Sequence, residues 1–329
     1  MSNFSAGNSA EIASLLEQGT ALLKAYQNEE ALALYERIIG LDSSNVVAHL
    51  GKMKALGRLK RHEEALLACE RTLELDPRSA PAYALKGQLL SMLNRAEEGL
   101  RLCEQALALD PQAAVAYACK GVVLTNLKRY SEALTAYKRA IKLDPSDGAC
   151  YYNQGIVFWH LKWYKEALKA FDQAISLGFG FRDILGARAY ALLRLKRYPE
   201  ALQAIEQILT LDPANGRTLL SRARTLWLLK RYDEALLGYE TLIQVNSGNA
   251  FAYVGKGEAL LRLKRYEEAL LAYEQALQLL PHDGGVYLRK SQVFWKLGRY
   301  REAIIAYGRA WISPSRPAKQ ERITLSQNL

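Results

Sequence analysis

The chain has little of what reactive or cross-linked proteins use. It holds four cysteines and four histidines in 329 residues. Cys69, Cys103, Cys119 and Cys150 form neither a C-x-x-C pair nor a metal-ligand spacing, which excludes the common zinc and dithiol arrangements. Cys69 and Cys103 are expected to be core residues, and a reduced, cytoplasmic setting is expected. His49, His62, His160 and His282 lie beside no Cys, Ser or carboxylate in a catalytic spacing. No apolar run reaches 18 residues, so no membrane span is expected. The opening "MSNFSAGNSAEIASLL" lacks a basic region followed by an apolar core and does not read as a signal peptide. Nothing here assembles a nucleophile, an acid–base pair or a metal site, so no enzyme, cofactor or metal is expected.

What is abundant is repetition. "LKRY" occurs at Leu127–Tyr130, Leu195–Tyr198, Leu229–Tyr232 and Leu263–Tyr266, with near-copies elsewhere, and most copies run on into "xEAL". The alanines of "EAL" are Ala31, Ala65, Ala133, Ala167, Ala201, Ala235, Ala269 and Ala303, with Gly99 filling the gap, and successive anchors are 34 residues apart. A fixed period in this range marks a repeat array. Nine repeats follow: 12–45, 46–79, 80–113, 114–147, 148–181, 182–215, 216–249, 250–283 and 284–317. Residues 1–11 are small and polar and are expected to fray; 318–329 form a short tail.

Each repeat reads as two helices. In 114–147, Tyr117, Gly121 and Leu124 fall at i, i+4, i+7, and Ala133, Tyr137, Ala140 and Ile141 at i, i+4, i+7, i+8. Both sets draw an apolar stripe on one helix face. "LKRY" joins the helices, its cations ending the first and the glutamates after it opening the second, as the helix dipole favours. "LDP" stops the second helix, since proline cannot continue it. Gly19, Gly87, Gly121, Gly155, Ala189, Ala223 and Gly257 share one position where helices must approach closely; Met53 and Ser291 depart from it. Cys69 and Cys103 take the place of Tyr137 and Tyr273. At "GFGFRD", 178–183, "LDP" is missing. The stretch lacks the third glycine and the preceding strand of a phosphate loop. A helix end at Gly178 is expected, with Phe179 and Phe181 packed between repeats five and six or bending the array there.

Tyr117, Gly121, Leu124, Ala133, Tyr137, Ala140 and Pro145 carry a pattern that resembles the tetratricopeptide repeat, and the resemblance covers nearly the whole chain. It implies an all-α, right-handed superhelical solenoid of antiparallel helix pairs. One elongated domain is expected, with a concave groove lined by the first helix of each repeat. Carried onto this chain, the groove positions include Tyr152, Asn153, Ile156, Trp159 and His160 in repeat five, Tyr190 and Arg194 in repeat six, and Arg224 and Trp227 in repeat seven. Repeat five holds nine aromatics in its 34 residues, against 9 % in the chain, and Trp159, Trp227 and Trp295 share one position. Trp, Tyr and Arg dominate interface energies. These tryptophans either face the groove or fill gaps between neighbouring first helices. Of the carboxylate clamp that some family members use for chaperone tails, only Asn153 has a match.

The implied function is a non-catalytic scaffold that binds a protein or peptide in the groove, chiefly through repeats five to seven. The partner is expected to bring apolar anchors and acidic flanks. An adaptor working through its convex face or ends is the alternative from another class. The net charge of +10 raises a third reading, nucleic acid held on a Lys-Arg ridge, but basic pairs alternate with Glu pairs and no basic block stands alone. In repeat nine Ile304, Ile305, Ala306 and Trp311 are expected to be partly uncovered unless the tail folds back, which raises self-association through that end.

Overall fold

The computed structural model describes residues 2–312; Met1, residues 313–329 and the side chains of 2–8, 181 and 182 lie outside that description, the 318–329 tail and the Phe181 ring among them. The described residues form eighteen helices in consecutive hairpins and no strand. In chain order they are α1 (Ser2–Lys24), α2 (Asn28–Leu41), α3 (Val46–Arg58), α4 (His62–Leu75), α5 (Ala80–Met92), α6 (Ala96–Leu109), α7 (Ala114–Asn126), α8 (Tyr130–Leu143) and α9 (Gly148–His160). They continue as α10 (Tyr164–Ser176), α11 (Phe181–Arg194), α12 (Tyr198–Leu211), α13 (Gly216–Leu228), α14 (Tyr232–Val245), α15 (Ala250–Arg262), α16 (Tyr266–Leu279), α17 (Gly284–Lys296) and α18 (Tyr300–Ile312). Each 34-residue period is one hairpin. Where fraying is expected before residue 12, α1 runs back to Ser2, since no proline interrupts the helical hydrogen bonding.

Two compact units pack separately, residues 1–184 and 185 onward, and the division falls in the first turn of α11, just past "GFGF". Within each, first helices touch the next first helix (α5 on α7, α13 on α15, α15 on α17), and second helices are seated against the first helices on either side. The first helices therefore make the inner row. Buried clusters run from repeat to repeat, for example Leu226, Tyr239, Leu260 and Tyr273 in the C-terminal unit.

The turn inside each hairpin differs from the sequence expectation in one respect. The first helix ends before the cations. Leu59 caps α3, Lys60 adopts φ +62°, and Arg61 is the N-cap of α4. The Arg61 N–H donates to Leu56 O and the Lys60 N–H to Gly57 O, the paired bonds of a Schellman motif. Tyr26, Asn94, Lys128, Lys162, Lys196, Lys230 and Lys264 hold the same left-handed backbone, and Gly298 takes the place in repeat nine. The arginine then forks onto the glutamate three residues on: Arg129 Nε and Nη2 donate to Glu132 at 2.7 and 2.8 Å. This fork recurs in seven repeats. The arginine holds the Glu132 carboxyl below its usual range.

Helix–helix spacing is set by complementary volumes. A Cβ on Gly121 would lie 2.5 Å from the Tyr137 ring, and one on Gly257 2.5 Å from Tyr273. Where the first helix carries Met53, the second offers the smaller Cys69, fully buried. In repeat three a Cβ on Gly99 would run into the Gly87 carbonyl oxygen, which explains why Gly99 replaces the anchor alanine. Across repeats, Lys52–Glu36, Lys120–Glu104, Lys256–Glu240 and Lys290–Glu274 pair a first helix with the preceding second helix at 2.7–3.0 Å. These pairs are partly exposed and worth about 0–1 kcal/mol each.

Gly121→Val is expected to cost about 1–3 kcal/mol in urea denaturation, because the Tyr137 ring has no room to move aside. Arg129→Gln should cost no more than about 1 kcal/mol. Lys264→Gly should stabilise by roughly 0.5–1 kcal/mol, since glycine enters the left-handed region without strain. A Gly121→Val chain as stable as the parent would refute the packing account.

Candidate functional site

The inner row of the N-terminal unit carries five of the residues singled out from sequence, and they fall into two groups. Trp159 is half-buried and meets the His160 ring edge-on at 4.9 Å. His160 stacks on Tyr130 of the preceding repeat, with centroids 5.3 Å apart and planes 11° from parallel. Partial burial, with the Lys128 charge second, moves the imidazole below its usual pKa and favours the neutral ring. Asn153 and Ile156 are half-buried on the same helix face.

Tyr152 belongs to the other group. It stacks beneath Phe179 at 5.3 Å and leans on Phe171 at 6.0 Å. Phe179 in turn meets Tyr26 of repeat one edge-on at 5.2 Å. The Arg58 guanidinium lies over the Tyr26 ring at 4.7 Å and donates to the Leu23 carbonyl. Gly178 and Gly180, at φ +75° and +29°, give the link the freedom to carry Phe179 there. Phe179 thus packs within its own unit, on Tyr152 and Tyr26. Sequence reasoning missed Tyr26, although an aromatic ring at the position of Lys60 and Lys128 was a visible departure.

The C-terminal unit has a different inner face. Arg224 of α13 lies over the Phe251 ring of α15 at 5.8 Å, and Arg262 of α15 lies over Trp227 of α13 at 5.5 Å. Both contacts bridge neighbouring first helices. Trp227 is half-buried, packs edge-on against Tyr232 at 6.2 Å, and keeps an Nε1 atom shielded from solvent without a hydrogen-bond partner. Arg289 Nε donates to Glu258 at 2.5 Å. Tyr190 is half-buried and Arg194 exposed on α11. Trp295, in the last described first helix, is 61 % exposed and meets the Tyr300 ring at 5.0 Å. At this repeat position the next first helix decides exposure: where Arg262 follows, the tryptophan is partly covered, and where no described helix follows, it is open.

Arg224 and Arg262 rest on aromatic faces, and among the described residues neither meets a carboxylate. The turn arginines are forked to glutamates instead. So the inner face of this unit keeps cationic donors beside aromatic surface, whereas the turn arginines are matched.

No group of His, Cys, Asp and Glu among the described residues is placed to hold a metal, and no described helix is long and apolar enough to cross a membrane. All four cysteines are buried and free. Burial pushes the Cys69 thiol up to about 11 and that of Cys103 to about 12, and raises Cys119 and Cys150 as well. These are the surroundings of inert core thiols.

Comparison with known proteins follows the same lines. Models of the tetratricopeptide repeat match residues 22–89, 80–113, 114–147, 149–177, 187–250, 250–283 and 285–310. No curated protein matches the chain. Among solved structures it is similar to YrrB, described as a repeat protein of this kind with an unusual peptide-binding site, at 23 % identity over 54 % of this chain and 92 % of that one, TM-score 0.51. It is similar to Pseudomonas aeruginosa PilF at 22 % identity over 66 % and 96 %, TM-score 0.53. It is also similar to a human IFIT1 dimer with m7Gppp-AAAA at 18 % identity over 91 % and 71 %, TM-score 0.59. At these identities the likeness establishes the fold.

The thiol environment has a direct check. At pH 8 the native chain should leave Ellman's reagent essentially unreacted, and all four thiols should react in guanidinium. Rapid native reaction of Cys119 or Cys150 would contradict the inert-core assignment.

Proposed function

The chain belongs to the tetratricopeptide repeat family, and on that premise we propose that it is a non-catalytic scaffold that binds a protein or peptide segment on the inner face of its first helices. The observation that carries this reading is the pair of cross-helix contacts in the C-terminal unit, Arg224 on Phe251 and Arg262 on Trp227. Each guanidinium lies over a ring at 5.5–5.8 Å and keeps N–H donors that no described carboxylate uses. A segment with apolar anchors and acidic flanks fits that surface: anchors against Trp227 and Phe251, carboxylates on the arginines. Tyr190 and Arg194 extend the binding residues of this unit.

The N-terminal unit contributes a face of its own, with Trp159 and His160 as anchors and Asn153 and Ile156 beside them. Tyr152 supports Phe179 there. The scaffold is pre-organised by its helix contacts, so little ordering entropy opposes binding on its side. The likeness to YrrB, whose description names a peptide-binding site, agrees with a peptide ligand. The pairing of each turn arginine with a glutamate weighs against a nucleic-acid ridge, and a cytoplasmic setting is consistent with four free cysteines.

Selection of a random peptide library on the full chain should enrich sequences with aromatic or branched anchors flanked by Asp or Glu. By calorimetry, Arg224→Ala/Arg262→Ala should weaken the selected peptides by a factor of about ten or more, roughly 1.4 kcal/mol or above. Raised salt should weaken them in the parent chain more than in the variant. Basic peptides in the enriched pool, or equal binding by the folded variant, would dismiss the inner-face reading in favour of the convex face or the ends.

A further inference from the structure

The two ends of the array are finished differently. In repeat nine Ile304, Ile305 and Trp311 are exposed, while Ala306, against the sequence expectation, is buried in the core of the C-terminal unit. At the other end, repeat one is tied to a repeat far along the chain. In a repeat array each repeat packs on its neighbours, and an end repeat frays first because it has only one. α1 packs on α2 and α3. The turn after it also meets repeat five, with repeats two to four between them.

Both sides of this contact depart from the 34-residue pattern. Tyr26 stands where later repeats have Lys60 and Lys128, and Phe179 where they have Pro145 and Pro213. The tyrosine ring is not required by its own turn, since Lys60 and Lys128 make the same left-handed turn. Tyr26 is held from two sides. The Arg58 guanidinium lies over its ring at 4.7 Å and donates to the Leu23 carbonyl, which also accepts from the Tyr26 N–H. The Phe179 ring meets it edge-on at 5.2 Å. Phe179 in turn stacks on Tyr152 at 5.3 Å. A Cβ on Gly148 would come within 2.7 Å of the Phe179 Cβ, so glycine at 148 makes room for the link. Burial in this cluster pushes the Tyr26 hydroxyl up to about 12.

The contact has a consequence for the shape of the N-terminal unit. α1 and α9 are the first and fifth members of its inner row. Tyr26 follows the C-terminal end of α1, and Tyr152 lies near the start of α9. A curved row whose outermost members are joined is closed on its concave side. We infer that Tyr26 and Phe179 form a clasp, which closes the inner row of repeats one to five and holds the end repeat against fraying. Phe179 fills from within the aromatic seat made by Tyr152, Tyr26 and Arg58. The clasp stands independently of the reading of Arg224 and Arg262, since it uses neither.

Hydrogen exchange on the full chain tests the clasp from both sides. Phe179→Ala should speed amide exchange in α1 and α2 by about fivefold or more, while the intervening α5 and α6 keep the parent rates. Tyr26→Lys installs the residue that other turns carry, so the hairpin should fold as before, yet exchange at Gly178 and Phe179 should speed by a similar factor. The double variant should exchange in α1 and α2 no faster than the quicker single variant, since both rings act through one contact. Closure is read separately by spin labels on Glu30→Cys and Lys169→Cys, exposed sites on α2 and α10; the native thiols are buried and stay unlabelled. The distance distribution should be narrow in the parent background and broader and longer with Tyr26→Lys. Exchange in α1 and α2 that ignores Phe179→Ala would overturn the clasp, as would equal acceleration of α5 and α6, the mark of a general loss of stability. A distance distribution that Tyr26→Lys leaves unchanged would overturn the closure.

Discussion

Everything in this protein rests on how closely the two helices of a hairpin can approach. The large side chain on each second helix lies against a small residue on its own first helix: Tyr137 on Gly121, Phe171 on Gly155, Tyr273 on Gly257. The approach fixes the hairpin, and the hairpin fixes which side of each first helix remains for the inner row. Departures from the pattern are compensated by volume. Met53 faces Cys69, and Ala223 is tolerated beside Tyr239 because Gly238 stands where other repeats have alanine. Dense packing makes the sum of the two volumes the conserved quantity within the array, rather than either residue.

Charge is distributed by the same geometry. The left-handed lysine turns the chain sharply enough to make the next arginine an N-cap, and from there its guanidinium reaches the glutamate one turn on. A second set of pairs ties neighbouring repeats together. The arginine of each "LKRY" copy is therefore paired at the turn, while less conspicuous arginines on the first helices sit over aromatic rings. A net charge of +10 thus says less about partners than the placement of a few guanidinium groups.

The candidate site was legible in part. The repeat register predicted that Trp159, Arg224 and Trp227 would lie on first helices, and they do. The fate of each ring was not legible, because it depends on a residue 35 positions later: Arg262 covers Trp227, and no described first helix follows Trp295. Tyr152 has the right register for an inner-face residue, yet Phe179 lies over it, and the Tyr26–Phe179 contact joins the first and fifth repeats. No local pattern encodes a contact across that separation. The division of the chain just past "GFGF" had a visible cause, the loss of "LDP", but not a visible consequence.

By itself the sequence determined the period, the helix pairing, the small-against-large core positions and the core places of Cys69 and Cys103. These depend on neighbours within one repeat or between adjacent ones, and a 34-residue period repeats such neighbours along the chain. The tertiary structure alone decided which aromatic rings are covered and which arginines meet aromatic faces instead of carboxylates. Those outcomes are set where one repeat ends against another, and there a side chain's exposure belongs to the residue that covers it.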